Sequence, residues 1–273
     1  MRLNSKWLIT AFFAGAVLVA CTGNKSEEGE DADIVADETT LDSQKISAQF
    51  VFNALPERDR VIALASQSKS EYNPSVLNNP ESLNKYSTES AKALNLGVYG
   101  ADLNVTGVYE QTQESMLFLK CVNILAKSLG VNNSFDEKMV DRMEANKSNR
   151  DSTLEIVSES FVSADTYLKN NGRPGTSSLI VAGAWIEGMY LAIATADETK
   201  YEGIVTEIYA QKESLKYLVQ LLEQSKLSQD ATYVLSDLKA MQPLFEVQNQ
   251  DAASLAAIAK ACNGLRTKVI SGN

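Results

Sequence analysis

The sequence predicts an all-α protein, built as an irregular antiparallel helical bundle or a short array of helix pairs, with about eight helices. Three observations predict it. From residue 43 onward, apolar residues recur at steps of three and four, the period of a helix with one buried face. Glycine, proline and capping residues cut that pattern into segments of helical length. No stretch alternates apolar and polar residues between turn signals, so no substantial sheet is expected.

The chain divides into three parts: a leader (1–20), a tether (21–42) and one helical domain (43–273). In the leader, Arg2 and Lys6 precede the apolar run Trp7 to Ala20. A membrane-spanning helix needs about 20 apolar residues, so this run is too short, and its basic-then-apolar order is that of a secretory signal. It ends Leu18-Val19-Ala20-Cys21, which resembles the lipobox of bacterial lipoproteins. That resemblance implies cleavage before Cys21 and a lipid on its thiol. Several acyl chains hold a protein on a bilayer where one does not. Residues 22–42 carry eight acids against Lys25 alone. Such a segment has little to bury and is expected to be an extended, disordered tether.

In the domain, Pro56 suits a first helical turn, followed by Val61, Leu64 and Ala65. Asn73-Pro74 and Asn79-Pro80 mark a long loop over 69–87. Helices are expected over about 88–108 and 110–129, the second closed by Gly130. Ser134 and Ser152 each begin a capping-box pattern and are expected to open helices. The first carries Phe135, Met139 and Met143 on one side. The second carries Leu154, Val157, Phe161, Ala164 and Leu168, and Gly172 and Pro174 stop it. Further helices are expected over about 176–196, 202–225, 230–241 and 250–270. The last shows Leu255, Ile258, Cys262, Leu265 and Val269.

Composition excludes several chemistries. The 273 residues include 35 acids, 25 bases and no histidine. The negative charge disfavours a nucleic-acid partner. Without histidine there is no Ser-His-Asp or Cys-His machinery and no His-containing zinc site. No catalytic set, metal site or cofactor is implied. After lipidation, Cys121 and Cys262 remain. Export permits a disulfide between them, but both lie on apolar stripes, which suits buried thiols equally.

Two helices are apolar all round and should lie inside. They are Ala93 to Leu103 and Leu179 to Leu191, each with paired small residues and one carboxylate, Asp102 or Glu187. Glycine inside a helix costs about 1 kcal/mol relative to alanine, so close approach of a neighbouring helix is expected. A buried carboxylate must meet donors, a cation or water. The bland reading is a satisfied internal network. The alternative is a ligand pocket between the two helices, lined by Tyr99, Asp102, Tyr109, Trp185, Glu187 and Tyr190. A carboxylate-pair hydrolase would need the two acids about 5–10 Å apart in an open cleft.

The block Ala54 through Asn78 and the runs Ala93 to Leu103, Tyr109 to Ser115, Asn149 to Ser152 and Ala184 to Leu191 together resemble an uncharacterised family of helical lipoproteins from Bacteroidota. The resemblance implies an exported, lipid-anchored protein of that phylum and supplies no activity. Lys25-Ser26-Glu27-Glu28 is similar to the acidic export signal of its surface lipoproteins, and Asp151-Ser152-Thr153 to its short O-glycosylation acceptor pattern. The expected role is a non-enzymatic outer-membrane lipoprotein, on the periplasmic face or the cell surface. Its partners would be the membrane, through lipid on Cys21, and an envelope protein. A small-molecule or glycan-binding lipoprotein is the alternative.

Overall fold

Among the residues described by the computed structural model (72–146, 149–194 and 201–272), the regular structure is helical and no strand is present. The signal segment, Cys21, the acidic tether and the helix expected after Pro56 lie outside the described residues.

Nine α-helices are described: α1 (Glu89–Val108), α2 (Thr112–Ser128), α3 (Glu137–Ala145), α4 (Arg150–Asn170), α5 (Pro174–Ala194), α6 (Tyr201–Ala210), α7 (Lys212–Gln224), α8 (Thr232–Met241) and α9 (Ala252–Ser271). Four begin where an oxygen-bearing side chain takes an orphan amide of the first turn. Thr88 caps α1 by accepting from the Ala91 amide, and Asp251 caps α9 in a reciprocal box with Ser254. Two caps differ from the sequence expectation. Asp136, not Ser134, caps α3, and Asn149, not Ser152, caps α4. In each case a neighbouring side chain accepts the helix amide, with Ser134 two residues before the cap and Ser152 three residues after it. Gly130 and Gly172 follow α2 and α4 with φ of 73° and 71°, a backbone that glycine enters without penalty. Pro174 stands in the first turn of α5 rather than beyond it, because its missing N–H costs nothing there.

The single helix expected over 202–225 is two, broken at Gln211. Tyr109-Glu110-Gln111 links α1 to α2, whereas Gln211 alone, in a right-handed conformation, separates α6 from α7. At the first, Glu110 has φ of 56°, a left-handed conformation that lets the chain reverse in three residues. The short link sets α2 antiparallel to α1, with Thr106 bonded to Ser115 across the turn.

The centre is the pair α1 and α5. It runs parallel, with Glu89 beside Thr176 at one end and Asp102 beside Glu187 at the other. Parallel packing is possible because three helices intervene in sequence. Close approach is set by glycine. A Cβ on Gly97 would stand 2.0 Å from the Ile180 carbonyl oxygen, and one on Gly183 would stand 1.9 Å from that of Leu94. Each glycine thus lies against the other helix's backbone, as their apolar surroundings predicted. Around this pair, α2 packs on α1, α6 and α7 pack on α5, and α4 and α9 meet both. α5 is long and apolar enough to cross a membrane, but it is mostly buried inside the protein.

Residues 73–86, expected as loop, form a strap. It contains two 3-10 turns, Pro74–Val76 and Pro80–Lys85, capped by Asn73 and Asn79. The strap ends against Gly272, whose Cβ position lies 2.6 Å from the Lys85 carbonyl oxygen.

Candidate functional site

Three charged side chains from three helices meet inside the bundle. Asp102 comes from α1, Glu187 from α5 and Arg266 from α9. Both carboxyls are wholly buried and Arg266 is 8 % exposed. Arg266 Nε donates to Glu187 Oε2 and Nη2 to Oε1, both at 2.7 Å, a bidentate pair. Nη2 also donates to the Val76 carbonyl at 3.1 Å. The guanidinium carbon lies 3.7 Å from the centre of the Tyr190 ring, on whose face the cation is favoured.

Asp102 lies within hydrogen-bonding reach of Glu187. Its Oδ2 accepts from the Asn78 amide at 3.2 Å, whereas Oδ1 is buried without a donor. Burial, then the Glu187 charge, holds the Asp102 carboxyl well above the usual carboxylate range. Burial also raises Glu187, and its bonds to Arg266 oppose that rise.

The strap closes over this cluster through its backbone. Besides Val76 and Asn78, Asn79 accepts from the Tyr99 hydroxyl at 2.8 Å, and Asn78 Nδ2 donates to the Tyr86 hydroxyl at 3.1 Å. The Tyr86 and Tyr99 rings meet edge to face at 6.2 Å. Burial raises the pKa of both.

Of the six residues proposed as a ligand-binding set, the fold gathers four. Asp102 and Glu187 touch, Tyr190 supports their arginine, and Tyr99 ties down the strap. Trp185 does not join them. Two residues from Glu187 on a helix, it faces the other way and donates to Ser214 Oγ at 3.0 Å. Tyr109 caps the C-terminus of α1, seven residues beyond Asp102, with its ring 5.6 Å from Tyr72. The gathered residues and the strap are joined by hydrogen bonds.

Sequence reasoning missed Arg266 and the strap. The arginine had a signal: it stands four residues after Cys262 and three before Val269, on the same stripe. The strap had none, because its contribution is made by main-chain groups. Cys121 and Cys262 are buried thiols outside any disulfide, Cys262 donating to the Ile186 carbonyl, with pKa values pushed up to about 11 and about 12 by burial. Among the described residues, no group of three acids or cysteines is arranged to hold a metal ion.

A separate cleft of about 460 Å3 opens at the N-terminal ends of α1 and α5. Glu89, Ser90, Arg173, Thr176, Lys226 and Asp230 are among its lining residues. Much of its polarity is already satisfied: Glu89 accepts from Arg173 at 2.7 Å and from Thr176 at 2.5 Å. Asp230 accepts from Ser90 at 3.2 Å.

Comparison of the chain with protein-family models, with curated proteins and with solved structures finds no match.

Proposed function

We infer that the protein is a lipid-anchored lipoprotein of the outer membrane that offers a rigid helical body to an envelope partner, without a catalytic role. The address rests on the basic-apolar leader ending Leu18-Val19-Ala20-Cys21. The resemblance to Bacteroidota lipoproteins supports the same host and address. The observation that carries the non-enzymatic reading is the closure of the Asp102–Glu187–Arg266 cluster. Its acids are wholly buried; Glu187 is paired with Arg266, and Asp102 accepts from the strap. Replacing Cys21 with Ser tests the address. The wild-type protein should fractionate with membranes and show the added mass of a lipid at a new N-terminal cysteine. The variant should be soluble and unmodified. A membrane-bound variant, or an unlipidated wild type, overturns it.

A second reading, small-molecule or glycan binding, draws on the cleft at the ends of α1 and α5, whose volume suits a small polar ligand. It expects a sugar or polyol panel to raise the melting temperature of the wild type and not of a Lys226→Ala variant.

A further inference from the structure

Asp102, Glu187 and Arg266 would leave one negative charge uncompensated in the core if all were ionised. Buried carboxyls avoid that state by holding a proton. The hydrogen bonds agree with this. Asp102 Oδ1 has no donor, and the neighbouring group within reach is another carboxyl. A protonated Asp102 turns that contact into an O–H···O⁻ bond, with Asp102 donating to Glu187. Glu187 is the better place for the charge because Arg266 grips both its oxygens.

The strap depends on the same group. The Asn78 amide donates to Asp102, and Val76 accepts from the arginine that neutralises Glu187. The strap's apolar hold is Tyr86, which is buried in the core, with Leu77 and Leu83 partly buried against it. Asn73, Pro74, Ser75, Asn79, Glu81, Asn84 and Lys85 are exposed, and its buried residues are Asn78, Ser82 and Tyr86. Segments with few buried apolar contacts open at lower cost than the whole fold.

We propose that Asp102 and Glu187 hold one proton between them beneath the strap, and that seating the strap takes this proton from solvent, so the strap is a latch that alkali loosens. On closing, the Asp102 carboxylate gains one H⁺ from water. On opening, water reaches the carboxyl and the proton leaves. No electron moves.

Other titratable and charged groups face the pair. The strap side brings Tyr72 and Tyr86, α1 brings Tyr99, α2 brings Cys121, α5 brings Tyr190, and α9 brings Cys262 and Arg266. α4 meets α1 with the ring of Phe161. Burial raises the Tyr86 and Tyr99 hydroxyls, holds Tyr72 near 12, and holds the thiols at about 11 and about 12. Arg266 stays charged.

Hydrogen exchange of the Asn78 amide in the full chain tests the latch, between about pH 5 and about pH 9. One proton taken up on closing means that protection, corrected for the intrinsic exchange rate, falls about tenfold per pH unit until Asp102 itself titrates. Asp102→Asn keeps an oxygen for the Asn78 amide and an N–H for Glu187, so its protection should be flat with pH. Flat protection in the wild type, or an equal slope in Asp102→Asn, overturns the proposal. If the variant fails to fold, infrared spectra of the wild type decide. The carbonyl stretch of a protonated carboxylic acid should be present at neutral pH and vanish as the strap opens in alkali. Its absence at neutral pH overturns the proposal.

Discussion

Arg266 and Glu187, 79 residues apart, are joined by two hydrogen bonds of 2.7 Å in the interior of the bundle. The pair fixes α9 against α5 and, through Val76, brings the strap down on both. Moving such ions out of water costs several kcal/mol each, which their attraction offsets only with good geometry. The bidentate contact, the Tyr190 face and the Val76 carbonyl supply that geometry.

Removing one partner should therefore cost far more than removing both. Arg266→Ala is expected to destabilise the protein by about 3–5 kcal/mol, because it leaves Glu187 buried without its cation. The double variant Arg266→Met, Glu187→Met should be less damaged than that single one. Urea denaturation of the two variants checks the order.

Alanine at the central glycines should force the α1–α5 pair apart. Gly97→Ala and Gly183→Ala each place a methyl within 2.0 Å of a carbonyl oxygen on rigid backbone, and overpacking of this kind costs about 1–3 kcal/mol or more. Gly264 on α9 is exposed, with nothing within 4 Å of its Cβ position. Gly264→Ala should stabilise by about 0.5–1 kcal/mol through helix propensity. Melting temperatures should move in opposite directions.

Stability should peak in mildly acid solution. Asp102 is raised in the folded state, so its contribution is whole below the ordinary value of 3.8 and is lost as pH rises towards its folded value. The loss is about 1.4 kcal/mol per pH unit in that window. Glu89 works in the other direction. Thr176 and Arg173 lower it, so its contribution is present above 4.5 and is lost as pH falls. Thermal melts from about pH 4 to about pH 8 should show the alkaline decline in the wild type and not in Asp102→Asn.

Trp185 should report its own hydrogen bond. Ser214→Ala leaves the indole N–H buried without an acceptor, at a cost of about 1–3 kcal/mol. Trp185 and Trp7 are the two tryptophans of the chain. Once the leader is removed, the fluorescence change on denaturation follows Trp185 alone and should shift to lower denaturant.

The amino-acid pattern alone determined the helical class, the burial of the Ala93–Leu103 and Leu179–Leu191 segments, and the close approach at their glycines. These follow from neighbours three and four residues apart on one helix, which a sequence displays directly. It also showed that Asp102 and Glu187 needed partners, since burying a carboxyl has a cost wherever it occurs. Who those partners are was decided by tertiary structure. Arg266 lies 79 residues from Glu187, and the Asn78 amide has no side-chain signature at all. The direction in which Trp185 points was decided there too, by where α7 packs. Contacts between distant segments depend on how helices cross, and main-chain groups are the same in every residue, so neither is encoded in local spacing.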